Sequence, residues 1–191
     1  MLARHAESTL NHQDRINGDP LVPADLTEVG QTQARLLGQE LSALPIDLCV
    51  HTRFGRTRLT AELALEGRNV PALEEPLLDD VDVGELEGWT LADYRAWKRA
   101  HSRSDRFPGG ESLDDAARRY AHAFRRLLER PEQVMFVVAH EIPIRYALNA
   151  AAHSGDLDAP AHDVPNARPY LFDDSSLEAA RSRIEKLARL S

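Results

Sequence analysis

Several things are scarce in this chain, and each shortage removes a class of protein. It holds one cysteine among 191 residues, so no internal disulfide can staple it. That residue, Cys49, sits in the apolar string Leu48-Cys49-Val50 and reads as a reduced core side chain. No apolar run approaches the roughly 20 residues that cross a bilayer, and the N-terminal residues lack the apolar core of a secretory signal. These shortages predict a cytoplasmic protein that spans no membrane. Basic residues are outnumbered, 23 Lys and Arg against 31 Asp and Glu, for a net charge of −8 with histidine neutral. The acidic residues are scattered, which argues against a nucleic-acid or anionic-membrane binder and obliges any anionic ligand to find a local basic pocket. No tandem repeat is visible.

What the chain does contain is an alternation. The 42% apolar content supports a sizeable core for one domain, 1–191, with at most a small elaboration. Short apolar strings at 1–3, 46–51, 69–73, 134–139 and 169–172 read as strands, and between them lie segments of helical period, the pattern of an α/β fold. In the first such segment Val29, Leu36, Leu37, Leu41 and Leu44 share a face, with Thr27 as N-cap. A second helix is predicted over 55–65. The clearest carries Leu113, Ala116, Ala117, Tyr120, Ala121, Phe124, Leu127 and Leu128 in one stripe, opened by Ser112 and Asp115 in capping-box positions. Two more are predicted, over 143–152 and through Leu177, Ala180, Ile184 and Leu187, the last opened by Ser175 with Glu178. Two stretches fit neither role, 11–23 and 77–110, and long excursions of this kind commonly line binding sites. The second is predicted to form a small lid.

The chemistry is concentrated at strand ends. Arg4-His5 follows the first apolar string and His140 follows Val134 to Ala139, so two histidines are predicted to meet at one end of a parallel sheet, where open α/β folds place ligands. A strand-end histidine offers a neutral imidazole nucleophile, and the adjacent guanidinium a fork that matches phosphate oxygens. Together they point to phosphoryl transfer. The string Arg4-His5-Ala6-Glu7-Ser8, with Asn11 and Arg15-Ile16-Asn17-Gly18 behind it, resembles the signature of the histidine phosphatase superfamily, the phosphoglycerate mutase-like proteins. Four further segments are similar to that family's in the same order. They are Thr52-Arg53-Phe54-Gly55-Arg56 with Thr60-Ala61, the acid-bearing Leu78 to Gly88 followed by Pro108-Gly109-Gly110-Glu111-Ser112, Val138-Ala139-His140 with Ile144-Arg145, and Asp163-Val164-Pro165-Asn166-Ala167.

The resemblance spans nearly the whole chain and implies a three-layer α/β/α sandwich around a mainly parallel sheet. It implies that His5 attacks phosphorus and carries a phosphohistidine, that Arg4, Arg56 and His140 hold the phosphoryl oxygens, and that Asp80 serves as proton donor and then base. Asn11 at the first loop would add a neutral donor. The implied substrate is a small-molecule phosphate ester, and the implied activity is that of a metal-independent phosphomonoesterase with no cofactor. A mutase-like phosphoryl shuttle and a catalytically weak relative that binds phosphorylated ligands or partners stand as alternatives.

Three departures from the family pattern matter. Asp80 stands where glutamate is commonest, reaching about one carbon less far, and Asp79 and Asp82 stand beside it as substitutes. Glu141 replaces a small residue after the second histidine; of repelling an anion, accepting from a hydroxyl or turning away, the last is expected. The chain begins three residues before Arg4, fewer than in relatives, which predicts a truncated start or a frayed sheet edge.

Rival motifs fail on spacing. His140-Glu141 would open an HExxH zinc helix, but Ile144 stands where the second histidine belongs. A cysteine-phosphatase loop needs arginine where Gly55 sits, no GxxxxGK[ST] loop occurs, and Asp80-Val81-Asp82-Val83 is followed by Gly84 where an aspartyl phosphatase has Thr or Val. The one basic concentration, Arg95, Lys98, Arg99, His101, Arg103 and Arg106 with Tyr94 and Trp97 interleaved, reads as a solvated helix face or as a lid that attracts the far end of a substrate. Nothing in the sequence sets an oligomeric state.

Overall fold

Four apolar strings become parallel strands: β1 (Leu2–Arg4), β2 (Leu48–His51), β3 (Ala72–Glu74) and β4 (Met135–Ala139). A two-residue β5 (Pro169–Tyr170) pairs antiparallel with β1, giving the order β3-β2-β4-β1-β5. These are features of a computed structural model that describes residues 1–159 and 164–190. Asp163, the first residue of the closing motif, lies outside the described residues.

The helices are α1 (Thr9–His12), α2 (Glu28–Glu40), α3 (Gly55–Ala64), α4 (Leu91–Ala100), α5 (Leu113–Leu128), α6 (Glu141–Ala151) and α7 (Asp174–Leu190). Strand residues alternate between two cores, as the period of two requires. Leu2, Leu48, Val50, Val137 and Ala139 pack with the apolar faces of α5, α6 and α7. Ala3, Cys49, Phe136 and Val138 pack with Leu37 and Leu41 of the α2 segment and Ala61 and Ala64 of α3. The result is the α/β/α sandwich the resemblance implies. Cys49 is buried, and burial pushes its thiol up to about 12, so it is an inert core side chain.

Several local expectations are corrected. The first strand is no frayed edge: β1 lies between β4 and β5, and the Met1 ammonium donates to Met135 O at 2.9 Å. The buried face of α2 is Gly30, Ala34 and Leu37, continuing to Leu41, while Val29 and Leu36 point to solvent. β5 stops at Tyr170, and Leu171 is exposed. The cap of α7 is Asp173, whose Oδ1 accepts from Ser176 N at 2.8 Å, in place of Ser175; Glu178 pairs with Arg181 instead. α6 begins two residues early because Pro143 fits a first helical turn, where its missing N–H costs nothing.

Other signals hold. Thr27 caps α2, and Ser112 with Asp115 forms a reciprocal capping box on α5. The 77–110 excursion contains two short 3-10 turns and α4, capped by Thr90. Within its basic stretch Arg95 and Arg99 are exposed, whereas Arg103 is drawn onto Asp114 and Asp158 and Arg106 onto Asp115.

Candidate active site

Parallel pairing of β1 with β4 in the register Arg4↔Ala139 sends the next residue of each strand to the same sheet edge. His5 N donates to Ala139 O at 2.9 Å, and the His5 and His140 rings lie 5.4 Å apart, edge to face. β2 ends beside them and feeds Thr52, Arg53 and then Arg56 in the first turn of α3. The loop after β3 supplies Asp80. Four segments distant in sequence therefore converge.

The hydrogen bonds fix the state of each imidazole. His5 Nδ1 lies 2.8 Å from Ala6 O; a carbonyl only accepts, so Nδ1 carries the proton and Nε2 keeps its lone pair. Arg56 Nε donates to that Nε2 at 3.0 Å. Arg56 also donates to His140 Nδ1 at 3.1 Å and to Asp80 Oδ2 at 3.2 Å. His140 Nδ1 therefore accepts, and its Nε2–H donates to Thr52 Oγ1 at 3.0 Å, which continues to Thr57 Oγ1 and Phe54 O. Burial, then the charge of Arg56, holds both histidines well below their ordinary value, with Arg4 adding to the effect. Both imidazoles are neutral at neutral pH.

Asp80 is half-buried, its Oδ2 3.4 Å from His140 Nδ1. Burial raises its proton affinity, Arg56 lowers it, and Glu141 raises it again, with a net shift upward. The two neighbouring aspartates are otherwise engaged. Asp79 accepts from Arg53 N at 3.0 Å and Arg53 Nε at 2.6 Å, and Asp82 accepts from Gly84 N at 3.0 Å within its own turn.

Arg4, Asn11 and Glu141 stand in the wall of a cavity of about 370 Å³ with His5, Arg56 and Asp80, while His140 is fully enclosed behind Arg56. Asn11 Oδ1 accepts from Ser8 N at 3.2 Å and Ser8 Oγ at 3.0 Å, closing the capping box of α1, a bond that uses neither amide hydrogen. Glu141 does not turn away. Its Oε2 lies 3.0 Å from Arg4 Nη1 and its Oε1 pairs with Arg145, because α6 starts at Glu141 and places Arg145 one turn on.

The sequence profile of the histidine phosphatase superfamily, branch 1, matches residues 1–175. The chain belongs to that superfamily. A phosphoserine phosphatase 1 from Hydrogenobacter thermophilus is 33% identical over 154 residues, 76% of this chain and 72% of the relative. A 2,3-bisphosphoglycerate-dependent phosphoglycerate mutase 2 from Gloeobacter violaceus is 31% identical over 189 residues, 91% of this chain and 84% of the relative. Among solved structures, the alpha-ribazole phosphatase from Shigella flexneri superposes with a TM-score of 0.71 at 25% identity, covering 80% of this chain and 79% of that one. The chemistry of a histidine phosphatase is phosphoryl transfer or hydrolysis.

In this member of the superfamily the residues that hold the site in shape include several with no role assigned from the motifs. Asn17 accepts from Arg56 through its side-chain oxygen and, at 3.1 Å, its carbonyl. Glu87 in turn accepts from Asn17 Nδ2 at 2.9 Å, Gly18 N at 2.7 Å and Asp19 N at 3.0 Å. Asn166 Nδ2 donates to His5 O at 2.7 Å, and Thr60 Oγ1 accepts from Ala6 N at 3.0 Å. All four stand inside or next to the quoted motifs, so the motif strings were the available signal. Among the described residues no group of three or more His, Cys, Asp or Glu side chains could hold a metal ion, and no helix is long and apolar enough to cross a membrane.

Proposed function

We propose that this protein is a phosphomonoesterase that hydrolyses a small phosphorylated metabolite through a phosphohistidine on His5. The observation that carries the reading is the tautomer of His5: a buried neutral ring whose Nε2 lone pair is held by Arg56 Nε. An arriving phosphate replaces Nε2 as the partner of Arg56 and takes a second guanidinium from Arg4, whose Nε is buried without a hydrogen-bond partner among the described residues. Asn11 adds a neutral donor to the shell around the equatorial oxygens, each charge-assisted bond from the two guanidiniums contributing about 1.5–3 kcal/mol. His140, enclosed behind Arg56 with Nδ1 accepting and Nε2–H spent on Thr52, orients the Arg56 guanidinium and does not itself hold a phosphoryl oxygen.

His5 Nε2 then attacks phosphorus in line, and the ester P–O bond breaks as the leaving oxygen takes the proton of the Asp80 carboxyl. In the second step the Asp80 carboxylate removes a proton from water, the water oxygen attacks phosphorus, and the His5 N–P bond breaks. The raised proton affinity of Asp80 fits the first role. Residues 77–110 act as a lid, because one face of α4, through Leu91, Tyr94, Arg95 and Lys98, lines the cavity. Lys98 donates to Asp158 Oδ1 at 3.2 Å, and burial lowers its ammonium to about 8. A cytoplasmic setting and independence from metal complete the reading.

The similarity over 91% of the chain to a protein named as a mutase supports a second reading, in which the product rebinds before water attacks. Hydrolysis of p-nitrophenyl phosphate with excess chelator, measured for the parent and for His5→Ala, tests the first. Chelator-insensitive turnover lost by at least about 10³-fold in the variant is expected, together with an acid-labile phosphoryl label on the parent alone. Activity unchanged in His5→Ala would sink the mechanism, and interconversion of phosphoglycerates faster than their hydrolysis would favour the mutase.

A further inference from the structure

Asp80 lies on a stretch of chain without regular secondary structure, between the two 3-10 turns of the lid region. An irregular loop has no ladder to fix its carbonyls, and an aspartate has less reach than a glutamate with which to compensate for a misplaced backbone. Something must hold that loop. Arg119, in the second turn of α5, donates to Leu77 O at 3.0 Å, Asp79 O at 2.9 Å and Asp80 O at 3.2 Å. Both oxygens of Glu111 accept from Arg119, one from Nε at 3.3 Å and the other from Nη2.

Glu111 holds the other side of the loop as well. Its Oε1 accepts from Asp82 N at 3.1 Å, and its own N–H donates to Asp82 O at 3.0 Å. One ion pair thus grips the chain at 77, 79, 80 and 82. Arg119 and Glu111 line a second cavity of about 550 Å³ that Asp80 also borders, and neither lines the cavity that holds His5, so they act on the reaction through the loop.

We propose that Arg119, locked by Glu111, is the positioning residue that sets the reach of Asp80 to the leaving-group oxygen. The proposal rests on the reading of Asp80 as the proton donor. If it holds, loosening the clamp removes proton donation and leaves phosphate binding and nucleophilic attack intact. Esters with different leaving groups separate these effects. p-Nitrophenolate departs without a proton, whereas phenolate, a much stronger base, needs one.

The experiment compares kcat for p-nitrophenyl phosphate and phenyl phosphate in the parent, Asp80→Asn, Arg119→Lys and Glu111→Gln. It also measures inhibition by inorganic phosphate and thermal midpoints. Arg118→Ala serves as control, since that neighbour bonds Asp115 and Ala188 O and makes no hydrogen bond to the loop among the described residues. General acid catalysis contributes about 10²–10⁴-fold, so Arg119→Lys and Glu111→Gln should lose at least about tenfold more on phenyl phosphate than on p-nitrophenyl phosphate, as Asp80→Asn does, with phosphate inhibition unchanged. Equal losses on both esters, or the same pattern in Arg118→Ala, would overturn the positioning role while leaving Asp80 as donor. A uniform loss in Asp80→Asn itself would remove the donor reading, and the clamp proposal with it.

Discussion

Glu141 shows how one side chain retunes a shared site. Its carboxylate binds Arg4, one of the two guanidiniums proposed for phosphate, and raises the proton affinity of Asp80. Substitution by glutamine should act on both. Freed from the ion pair, Arg4 should bind phosphate more tightly by roughly two- to fivefold, the worth of a partly exposed pair. Asp80 must be protonated to donate, so activity falls as pH rises through its pKa. Without the Glu141 charge that pKa drops, and the alkaline limb of kcat should move to lower pH. Phosphate inhibition and pH–rate profiles of Glu141→Gln on phenyl phosphate check both effects, and profiles superimposable on the parent's would leave Glu141 without this role. At this scale the sequence is most legible where chemistry and backbone coincide. Arg4, His5, Arg56 and His140 stand at strand ends or a helix start, whereas Asn17 and Glu87 act through a hydrogen bond that joins loops 70 residues apart. The direction in which Glu141 points was unreadable because it depends on where α6 starts.

Between elements, close approach is the controlling quantity. A Cβ on Gly18 would lie 2.1 Å from Val81 O, so the first loop and the acid-bearing loop touch backbone to backbone at that point. Gly18→Ala must push them apart, at about 1–3 kcal/mol for overpacking. The shift separates Asn17 from Arg56 on one side and moves Asp80 on the other. The expected outcome is a raised KM together with a lowered kcat, read by steady-state kinetics, and a destabilisation of that size in urea. Kinetics like the parent's would show that the loops yield freely. Helix and strand signals were legible in proportion to the burial behind them. The α5 stripe, with its capping box, is clear because one whole face is enclosed. On α2 the leucines misled because small residues, Gly30 and Ala34, make the close contact, Gly30 standing where a Cβ would meet Glu7 O at 2.0 Å. β5 is short because it pairs with one neighbour over two residues, a limit set by the partner strand.

For the molecule as a whole, the layered fold and the meeting of two strand-end histidines were legible from alternating apolar strings, but the strand order that seats β1 beside β4 was not. That order buries two neutral histidines at the sheet edge, and the burial has a thermodynamic consequence. Both rings titrate well below 6.5 in the folded protein, so below 6.5 the unfolded chain takes up protons that the fold excludes. The stability tied to each histidine is complete above 6.5 and is lost as pH falls, at up to about 1.4 kcal/mol per pH unit for each ring that stays neutral. Asp79 and Asp80 have the opposite sign. Their folded proton affinities are raised, so their contribution is complete below 3.8 and is lost as pH rises through the folded values. Between pH 6.5 and the onset of carboxyl protonation the histidines dominate, and urea midpoints should fall with acidification in that window. His140→Gln, which removes one of the two rings, should halve the slope. A flat profile in the parent would mean that the folded state accepts protons on these rings near neutrality, and a protonated His5 has no lone pair with which to attack phosphorus.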